Sequence, residues 1–250
     1  IDLASIDDLV LSIFPFEVPL LEKHRVKACY AGHPLAQDLD QVPDQSVIRQ
    51  KLGLPFNKPV LGLLPGSRMS EASQLTDDFL QAAGILNAQL GGLIVLAPMA
   101  TAKIREYFTQ RANAFDLDIR ILDGQSRDVM AAADVLLLAS GTASLETMLY
   151  KKPMVVAYKI HWLTYFIGFT LGLVKTKYIA MPNILADEEL VPELFQDNCT
   201  PENIANAVYQ LFSDKDQGNQ LKSHFESLHE ELAEGSIEQA AQAIMSLVGK

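Results

Sequence analysis

Residues 60–68, Val-Leu-Gly-Leu-Leu-Pro-Gly-Ser-Arg, form an apolar run that ends in a Pro-Gly turn, and Glu71 follows three positions later. This pattern predicts a buried strand, a tight turn and the start of a helix. We expect the backbone N–H groups of Gly66 and Ser67 to be free at the mouth of that helix, where they can bind an anion. Arg68 is poorly placed for the helix dipole unless an anion lies nearby. The stretch therefore predicts a phosphate-binding loop.

A second stretch repeats this arrangement. The apolar residues 135–138 lead into Ala139-Ser-Gly-Thr142, and Glu146 follows four positions after Thr142. Glu146 and Thr142 share one helix face, and helical side chains lean towards the helix N-terminus. A carboxylate placed there can accept both hydroxyls of a ribose while the backbone of residues 140–143 holds phosphate. Two such loops in one parallel sheet predict a diphosphate ligand.

Each of these features also has a purely structural explanation. A Pro-Gly turn after a strand is common in α/β proteins. Ser140-Gly-Thr can be a helix N-cap, and an acid in the first turns of a helix is stabilised by the dipole without any ligand. The residues leave both explanations open, and the repetition after two separate strands favours function.

Strand-length apolar segments alternate with segments of helical periodicity, which is typical of a doubly wound parallel sheet. We therefore predict a Rossmann-like α/β fold with C-terminal helices, and ligands in such folds bind beyond the carboxyl ends of the strands. The predicted strands are residues 9–14, 28–31, 60–64, 93–97, 118–122, 135–138 and 154–157. The predicted helices include residues 45–52, 70–90, 102–113, 126–133 and 142–150, and a further helix starts at Thr200-Pro201.

Composition excludes several classes of protein. The net charge of −11 argues against general nucleic-acid binding, which needs a basic surface. Cys29 and Cys199 have neither CxxC spacing nor a His-rich partner motif, so we expect packing roles, no metal site and no cofactor. The acidic residues 1–8 do not resemble a signal peptide, which favours a cytoplasmic protein.

Residues 160–174 carry no formal charge apart from a histidine, and they include the aromatic residues Trp162, Tyr165, Phe166 and Phe169. A bilayer-spanning helix needs about 20 apolar residues, so this segment is too short. It fits either a buried helix or an interfacial helix that contacts acyl chains, and the flanking lysines favour the second interpretation.

Residues 178–185, Tyr-Ile-Ala-Met-Pro-Asn-Ile-Leu, are predicted to be extended because Pro182 disfavours a helix. Asn183 offers both a donor and an acceptor, although an asparagine in such a stretch is often only a turn residue.

Several motifs together make the chain resemble the lipid-A-disaccharide synthase family, whose members are GT-B glycosyltransferases built of two Rossmann-like domains. These motifs are LPGSRxxE (64–71), the Leu122-Asp-Gly124 turn, LLLASGTASLE (136–146), KPMVVAYK (152–159) and LVKTKYIAMPNILADEELVPELFQ (173–196). LVLSIFPFE (9–17) and YAGHPLAQD (30–38) also fit. The family more often has Gly-Arg at Asp187-Glu188, so a basic contact is not expected there.

The resemblance implies a division into three parts. Residues 1–38 would be the remnant of an N-terminal Rossmann-like domain with its linker, residues 39–212 the UDP-sugar-binding domain, and residues 213–250 the C-terminal helices. The family transfers 2,3-diacylglucosamine from UDP-2,3-diacylglucosamine to 2,3-diacylglucosamine 1-phosphate through a β-1,6 bond and releases UDP, during the synthesis of the lipid A anchor of lipopolysaccharide. The acidic residue thought to act as base belongs to the N-terminal domain, so we expect this chain to be inactive alone.

The resemblance also implies roles for individual residues. Arg68 would stabilise the diphosphate leaving group, Glu146 would bind the uridine ribose, and Asn183 would face the sugar phosphate. The remaining predicted nucleotide contacts are Gly66, Ser67 and Glu71, the phosphate cradle Ser140, Gly141, Thr142 and Ala143, and the uracil border Leu122, Asp123 and Gly124.

No DxD-like acidic pair is present in a suitable loop, so we predict metal-independent transfer with inversion. Acylated substrates imply a peripheral position at the cytoplasmic face of the inner membrane, and the family suggests a homodimer through the C-terminal helices. Two other functions stay open: another UDP-sugar enzyme of this fold, such as an epimerase, and a non-catalytic nucleotide-binding or assembly module.

Overall fold

The computed structural model describes residues 9–39, 42–159, 177–234 and 237–248. The chain divides into two compact units, Ile1–Gln41 with His224–Lys250, and Val42–Ser223. The aromatic segment 160–174, with Trp162, Tyr165, Phe166 and Phe169, lies outside the described residues. A bilayer-spanning helix is not found among the residues that are described.

The described strands and helices are numbered here in chain order. The strands are β1 (Leu9–Ser12), β2 (Lys27–Tyr30), β3 (Val60–Leu64), β4 (Ile94–Met99), β5 (Asp118–Asp123), β6 (Val135–Ala139), β7 (Met154–Tyr158) and β8 (Glu193–Phe195). The α-helices are α1 (Glu17–Lys23), α2 (Pro34–Asp38), α3 (Gln45–Lys51), α4 (Met69–Leu90), α5 (Ala102–Ala112), α6 (Ser126–Ala132), α7 (Thr142–Leu149), α8 (Met181–Ala186), α9 (Pro201–Ser213), α10 (Lys215–Ala233) and α11 (Ile237–Val248).

The smaller unit joins both ends of the chain. β1 and β2 pair in parallel, with α1 between them in sequence. The Tyr30 hydroxyl donates to the Leu232 carbonyl over 2.9 Å, and the His33 backbone N–H donates to the same carbonyl over 2.9 Å. Residues near the end of α10 therefore pack against the residues that follow β2. The predicted domain limits after residues 38 and 212 stay predictions.

The larger unit contains a parallel sheet of six described strands in the order β5-β4-β3-β6-β7-β8. The predicted Rossmann-like α/β fold is confirmed. The strand order runs one way from β3 to β5 and the other way from β6 to β8, so the reversal lies between β3 and β6. Open α/β sheets bind ligands at such a reversal, beyond the carboxyl ends of the strands.

The centre of this sheet is entirely apolar. Every residue of β3 and β6 is buried. Continuous apolar strands suit this position because the faces of a doubly wound sheet are covered by helices. In α4 the side chains of Leu75, Phe79 and Leu86 are buried as well, and burying one such side chain contributes about 1.5–3 kcal/mol. This core fixes the ends of β3 and β6, from which two glycine loops leave. The first loop is residues 65–68, and the second loop is residues 140–143.

One element differs from the sequence prediction. Residues 181–186 form α8, although Pro182 was expected to keep residues 178–185 extended. Pro182 lies in the first turn of α8, where a backbone N–H has no intrahelical partner, so its missing N–H costs nothing there. By contrast, the predicted start at Thr200-Pro201 is confirmed, because Thr200 Oγ1 accepts from the Asn203 N–H at the beginning of α9.

Candidate functional site

A cavity of about 380 Å³ opens at the carboxyl ends of β3, β4 and β6. The two glycine loops form two of its walls, because Leu64 at the end of β3 is paired in register with Leu138 of β6. Neighbouring strands lie about 4.8 Å apart, so both loops leave the sheet side by side. The sequence thus brings both predicted loops to one rim of the sheet.

In the first loop, a carboxylate of the protein itself occupies the backbone N–H groups. The Glu71 carboxylate accepts from the backbone N–H groups of Ser67 and Arg68 over 3.1 and 3.4 Å, and it pairs with the Arg68 guanidinium over 3.0 Å. The prediction that the Ser67 N–H is free is therefore wrong. The side chain of Arg68 is 79% exposed, so it is not fixed against the protein core.

Glycine is required at position 66. The φ of Gly66 is +120°, and a Cβ built there would lie 2.5 Å from the Glu71 Cβ and 2.7 Å from its Oε2. The approach of Glu71 to the loop is possible only because residue 66 has no side chain. The same absence of a Cβ lets a ligand phosphate approach the backbone closely.

The second loop lacks such an internal anion among the described residues. Gly141 is the N-cap of α7, with φ +145° and ψ −161°, and no side chain caps the helix start. The Ser140 hydroxyl donates instead to the Ile179 carbonyl over 3.4 Å. Thr142 and Ala143, which carry the first N–H groups of α7, line the cavity. A phosphate can be bound at such a helix start, where the helix dipole also favours it.

Glu146 lies one turn further along α7, on the same cavity wall. It is partly exposed, and none of the described side chains forms a hydrogen bond or an ion pair with its carboxylate. A carboxylate without a protein partner can accept two hydroxyl groups at once. This placement agrees with the expected ribose contact, which stays a prediction.

The third wall of the cavity was not predicted from the sequence. It consists of Pro98, Met99 and Ala100 at the end of β4, together with Ser126 and Met130 from α6. These residues carry no motif, but β4 is the neighbour of β3, so its carboxyl end borders the same crevice. An apolar wall beside the Glu146 carboxylate suits the flat ring of a nucleobase.

The predicted Leu122-Asp-Gly124 turn contributes only in part. Gly124 lines the cavity, and its N–H donates to the Met99 carbonyl over 2.9 Å. Leu122 and Asp123 do not line the cavity. Asp123 pairs instead with Arg105 over 2.8 Å and is largely exposed.

The structure places Asn183 in the protein interior and not on the cavity wall. Its side chain is completely buried, and its Nδ2 donates to the Val191 carbonyl over 2.9 Å and to Glu193 over 2.8 Å. Its Oδ1 accepts from the N–H groups of Leu190 and Val191, each over 2.9 Å. Because both amide atoms already have partners, the expected contact with the sugar phosphate is replaced by a structural role.

Within the described part of the chain, no group of three or more histidine, cysteine or acidic side chains could hold a metal ion. The charged side chains at the cavity are Arg68, Glu71 and Glu146. The site can therefore offer an anionic ligand one guanidinium, the start of α7 and, if Glu71 moves, the N–H groups of the first loop.

Comparison with known proteins identifies relatives over nearly the whole chain. The family model described as lipid-A-disaccharide synthetase matches residues 1–247. The lipid-A-disaccharide synthase of Xanthomonas campestris pv. campestris (strain 8004) is 45% identical over 244 residues, which cover 96% of this chain and 56% of the relative. The enzyme of the same name from Pseudoalteromonas translucida (strain TAC 125) is 44% identical over 248 residues, which cover 98% of this chain and 64% of the relative. The chain thus spans somewhat more than half the length of these relatives.

Solved structures share the fold at low sequence identity. WaaG, a glycosyltransferase involved in lipopolysaccharide biosynthesis, aligns with a TM-score of 0.60 and 16% identity over 94% of this chain and 62% of its own. HepE from Anabaena, in complex with UDP and glucose, aligns with a TM-score of 0.59 and 16% identity over 99% of this chain and 64% of its own. These likenesses show that the chain has a Rossmann-like fold.

Proposed function

This chain belongs to the lipid-A-disaccharide synthetase family, and we propose that it binds the nucleotide-sugar donor of a lipid A glycosyltransferase. The reaction would transfer 2,3-diacylglucosamine from UDP-2,3-diacylglucosamine to 2,3-diacylglucosamine 1-phosphate, forming a β-1,6 bond and releasing UDP. The observation that carries the proposal is the side-by-side exit of two glycine loops at the strand-order reversal. One loop leads into a helix whose N-cap is Gly141, and the Glu146 carboxylate on the same wall has no hydrogen-bond or ion-pair partner among the described side chains.

The donor is proposed to bind with its parts along the three walls of the cavity. The diphosphate would lie at the start of α7 and against Arg68. Glu146 would accept the ribose hydroxyls, and the uracil would lie towards Met99 and Gly124. Each assignment pairs a ligand group with a wall of matching chemistry: N–H groups and a cation with phosphate, a carboxylate with a diol, and an apolar wall with a base.

Catalysis by these residues would act on the leaving group. As the glycosidic bond to UDP breaks, negative charge builds up on the diphosphate, and donors already oriented towards it stabilise that charge. One such donor is typically worth about 3 kcal/mol in the transition state. We propose that Arg68 and the α7 start fill this role without a metal ion and that the sugar inverts its anomeric configuration.

The acceptor hydroxyl must lose a proton as it attacks the anomeric carbon from the opposite face. In this family the acidic residue thought to serve as base belongs to the N-terminal domain. Neither Glu71 nor Glu146 is proposed as this base. Glu71 is paired with Arg68, and Glu146 lines the cavity where the ribose is proposed to bind. The described residues would therefore bind the donor and stabilise its leaving group.

Calorimetric titration with UDP tests the proposal. We expect UDP to bind and Arg68→Ala to weaken binding about tenfold or more, because a hydrogen bond to a charged group is worth about 1.5–3 kcal/mol. Lys103→Ala removes an exposed cation of α5 outside the cavity and is the matched control. Absence of binding by the wild type, or equal binding by Arg68→Ala, would discredit the nucleotide site.

The partners and location in the cell follow from the proposed substrates. Acylated donor and acceptor molecules would require a peripheral position at the inner membrane, and residues 160–174 are the candidate contact. Liposome flotation of wild type, Trp162→Ser and Phe166→Ser measures this, and unchanged partitioning would remove the membrane role of this segment. A homodimer through the C-terminal helices stays a prediction.

A further inference from the structure

The segment 179–181, which leads into the first residue of α8, is hydrogen-bonded to the second glycine loop. The Ser140 hydroxyl donates to the Ile179 carbonyl over 3.4 Å, and the Met181 N–H donates to the Ser144 hydroxyl over 3.1 Å. Ser144 in turn donates its proton to the Gly141 carbonyl over 2.8 Å. One completely buried hydroxyl therefore connects the N-cap residue of α7 to the segment beside it.

The other side of this segment is held by Glu193, the first residue of β8. Its carboxylate accepts from the N–H groups of Ile179 and Ala180, each over 2.9 Å, and from the Asn183 side chain over 2.8 Å. Since β8 pairs with β7, these bonds attach the segment to the parallel sheet. The chain of contacts thus runs from the sheet through Glu193 and residues 179–181 to Ser144 and Gly141.

The second loop needs such support because its central residue is a glycine. Gly141 has φ +145°, a conformation that residues with a side chain rarely adopt, and it has no side chain of its own to restrict its backbone. The orientation of the peptide between Gly141 and Thr142 decides whether the Thr142 N–H points into the cavity. The bond from Ser144 holds the carbonyl of that same peptide.

We propose that Ser144 and Glu193 are positioning residues that hold the start of α7 in the conformation that binds the donor diphosphate. This inference rests on the proposed donor-binding function and deepens it. Neither residue lines the cavity, so both act through residues 140–143. Their contribution should therefore appear in the affinity for phosphate groups and not in the affinity for the nucleoside.

The test compares UDP with uridine, which lacks the diphosphate, on the intact chain. We expect Ser144→Ala and Glu193→Gln to weaken UDP binding about five- to tenfold, the effect of losing about one hydrogen bond. Uridine binding, measured by NMR titration, should stay within about twofold of wild type, because Glu146 and the β4 wall are unchanged. Glu193→Gln keeps the size of the side chain but replaces one of its two accepting oxygens by an amide nitrogen that donates. With the remaining oxygen at the Oε1 position, the amide nitrogen would face the Ile179 N–H, which donates to Oε2 over 2.9 Å.

Thr76→Val is the matched control. Thr76 is also a completely buried helical hydroxyl, which donates to the Ala72 carbonyl in α4 over 2.6 Å, away from the second loop. This variant should keep wild-type affinity for both ligands. Amide hydrogen exchange gives a readout that needs no nucleotide: Ser144→Ala should speed exchange at Met181, whose N–H donates to the Ser144 hydroxyl, more than Thr76→Val does.

The possible outcomes distinguish failure of the proposed donor binding from failure of the positioning roles. If wild type binds neither UDP nor uridine, the proposed function fails and this inference fails with it. If wild type binds UDP and both variants bind it equally well, only the positioning roles are refuted. A parallel loss of UDP and uridine affinity would also refute them, since it indicates a general disturbance of the fold.

Discussion

Replacing Glu71 by glutamine removes the negative charge that occupies the first loop. The carboxylate accepts from two backbone N–H groups at the start of α4 and pairs with Arg68 over 3.0 Å. A diphosphate that recruits Arg68 must compete with this pair. Because the Arg68 side chain is 79% exposed, the pair is worth about 0.2–1 kcal/mol. We therefore expect Glu71→Gln to bind UDP about 1.4- to 5-fold more tightly.

The same substitution should make the protein less stable. An acid in the first turn of a helix contributes about 0.3–1 kcal/mol through the helix dipole. For a unit of this size such a loss lowers the midpoint of thermal unfolding by about 1–4 °C. Glu71→Gln thus moves affinity and stability in opposite directions, which distinguishes release of a competing anion from damage to the loop.

Asp128→Asn is a close control for this experiment. Asp128 occupies the third position of α6, as Glu71 does in α4, and it pairs with Lys51 over 2.8 Å. The two acidic side chains are 20% and 19% exposed, but Asp128 does not line the cavity. It should lose similar stability without any change in UDP affinity, measured by calorimetry and thermal unfolding. Weaker UDP binding by Glu71→Gln would refute the reasoning and would mean that Glu71 orients Arg68 for the ligand.

Three further experiments test other parts of the molecule. Glu146→Gln should abolish a preference of the wild type for UDP over 2′-deoxy-UDP in competition titrations, and equal discrimination by both proteins would exclude the ribose contact. A Cβ at Gly141 or at Gly92 would lie in open space, but φ is +145° and +131° at these residues. Each substitution by alanine should therefore lower the free energy of unfolding by about 1–3 kcal/mol, measured by denaturant unfolding. Only Gly141→Ala should also weaken UDP binding. Burial lowers the pKa of Lys152 from 10.5 to about 8. Between pH 8 and 9 the unfolded chain therefore binds more protons at this residue than the folded chain does, so this residue makes the free energy of unfolding rise with pH. Lys152→Met should remove that rise, and an unchanged pH profile would show that Lys152 is not the responsible group.

The centre of the fold was predictable because the signals there are local and strong. β3 and β6 consist of buried apolar residues followed directly by glycine turns, and a strand buried on both faces requires that composition. The positions of the two loops at one rim then follow from the parallel sheet itself. The positions of Arg68, residues 140–143 and Glu146 at this rim were therefore predictable from the sequence, while their contacts with a ligand stay predictions.

The errors arise where a distant residue decides the outcome. The family resemblance predicts Asn183 as a ligand contact, but its amide nitrogen donates to Val191 and Glu193. Glu193 begins a strand of three residues, which is too short to be recognised in the sequence. The apolar wall at Met99 has no motif, and only the position of β4 beside β3 makes it part of the site. Proline disfavours the interior of a helix, but α8 begins at Met181, so Pro182 lies in its first turn, where proline is tolerated.

The two glycine loops look equivalent in sequence, yet their hydrogen bonds make them unequal partners for a diphosphate. The N–H groups of Ser67 and Arg68 already have a carboxylate partner, so a ligand gains from them only what it adds beyond Glu71. The start of α7 has no partner of this kind among the described residues, so a phosphate there replaces only water. Most of the diphosphate affinity should therefore come from residues 140–143, with Arg68 joining as an exchangeable contact. This explains why the buried hydrogen bonds of Ser144 and Glu193 support the second loop, since that loop has the open anion site.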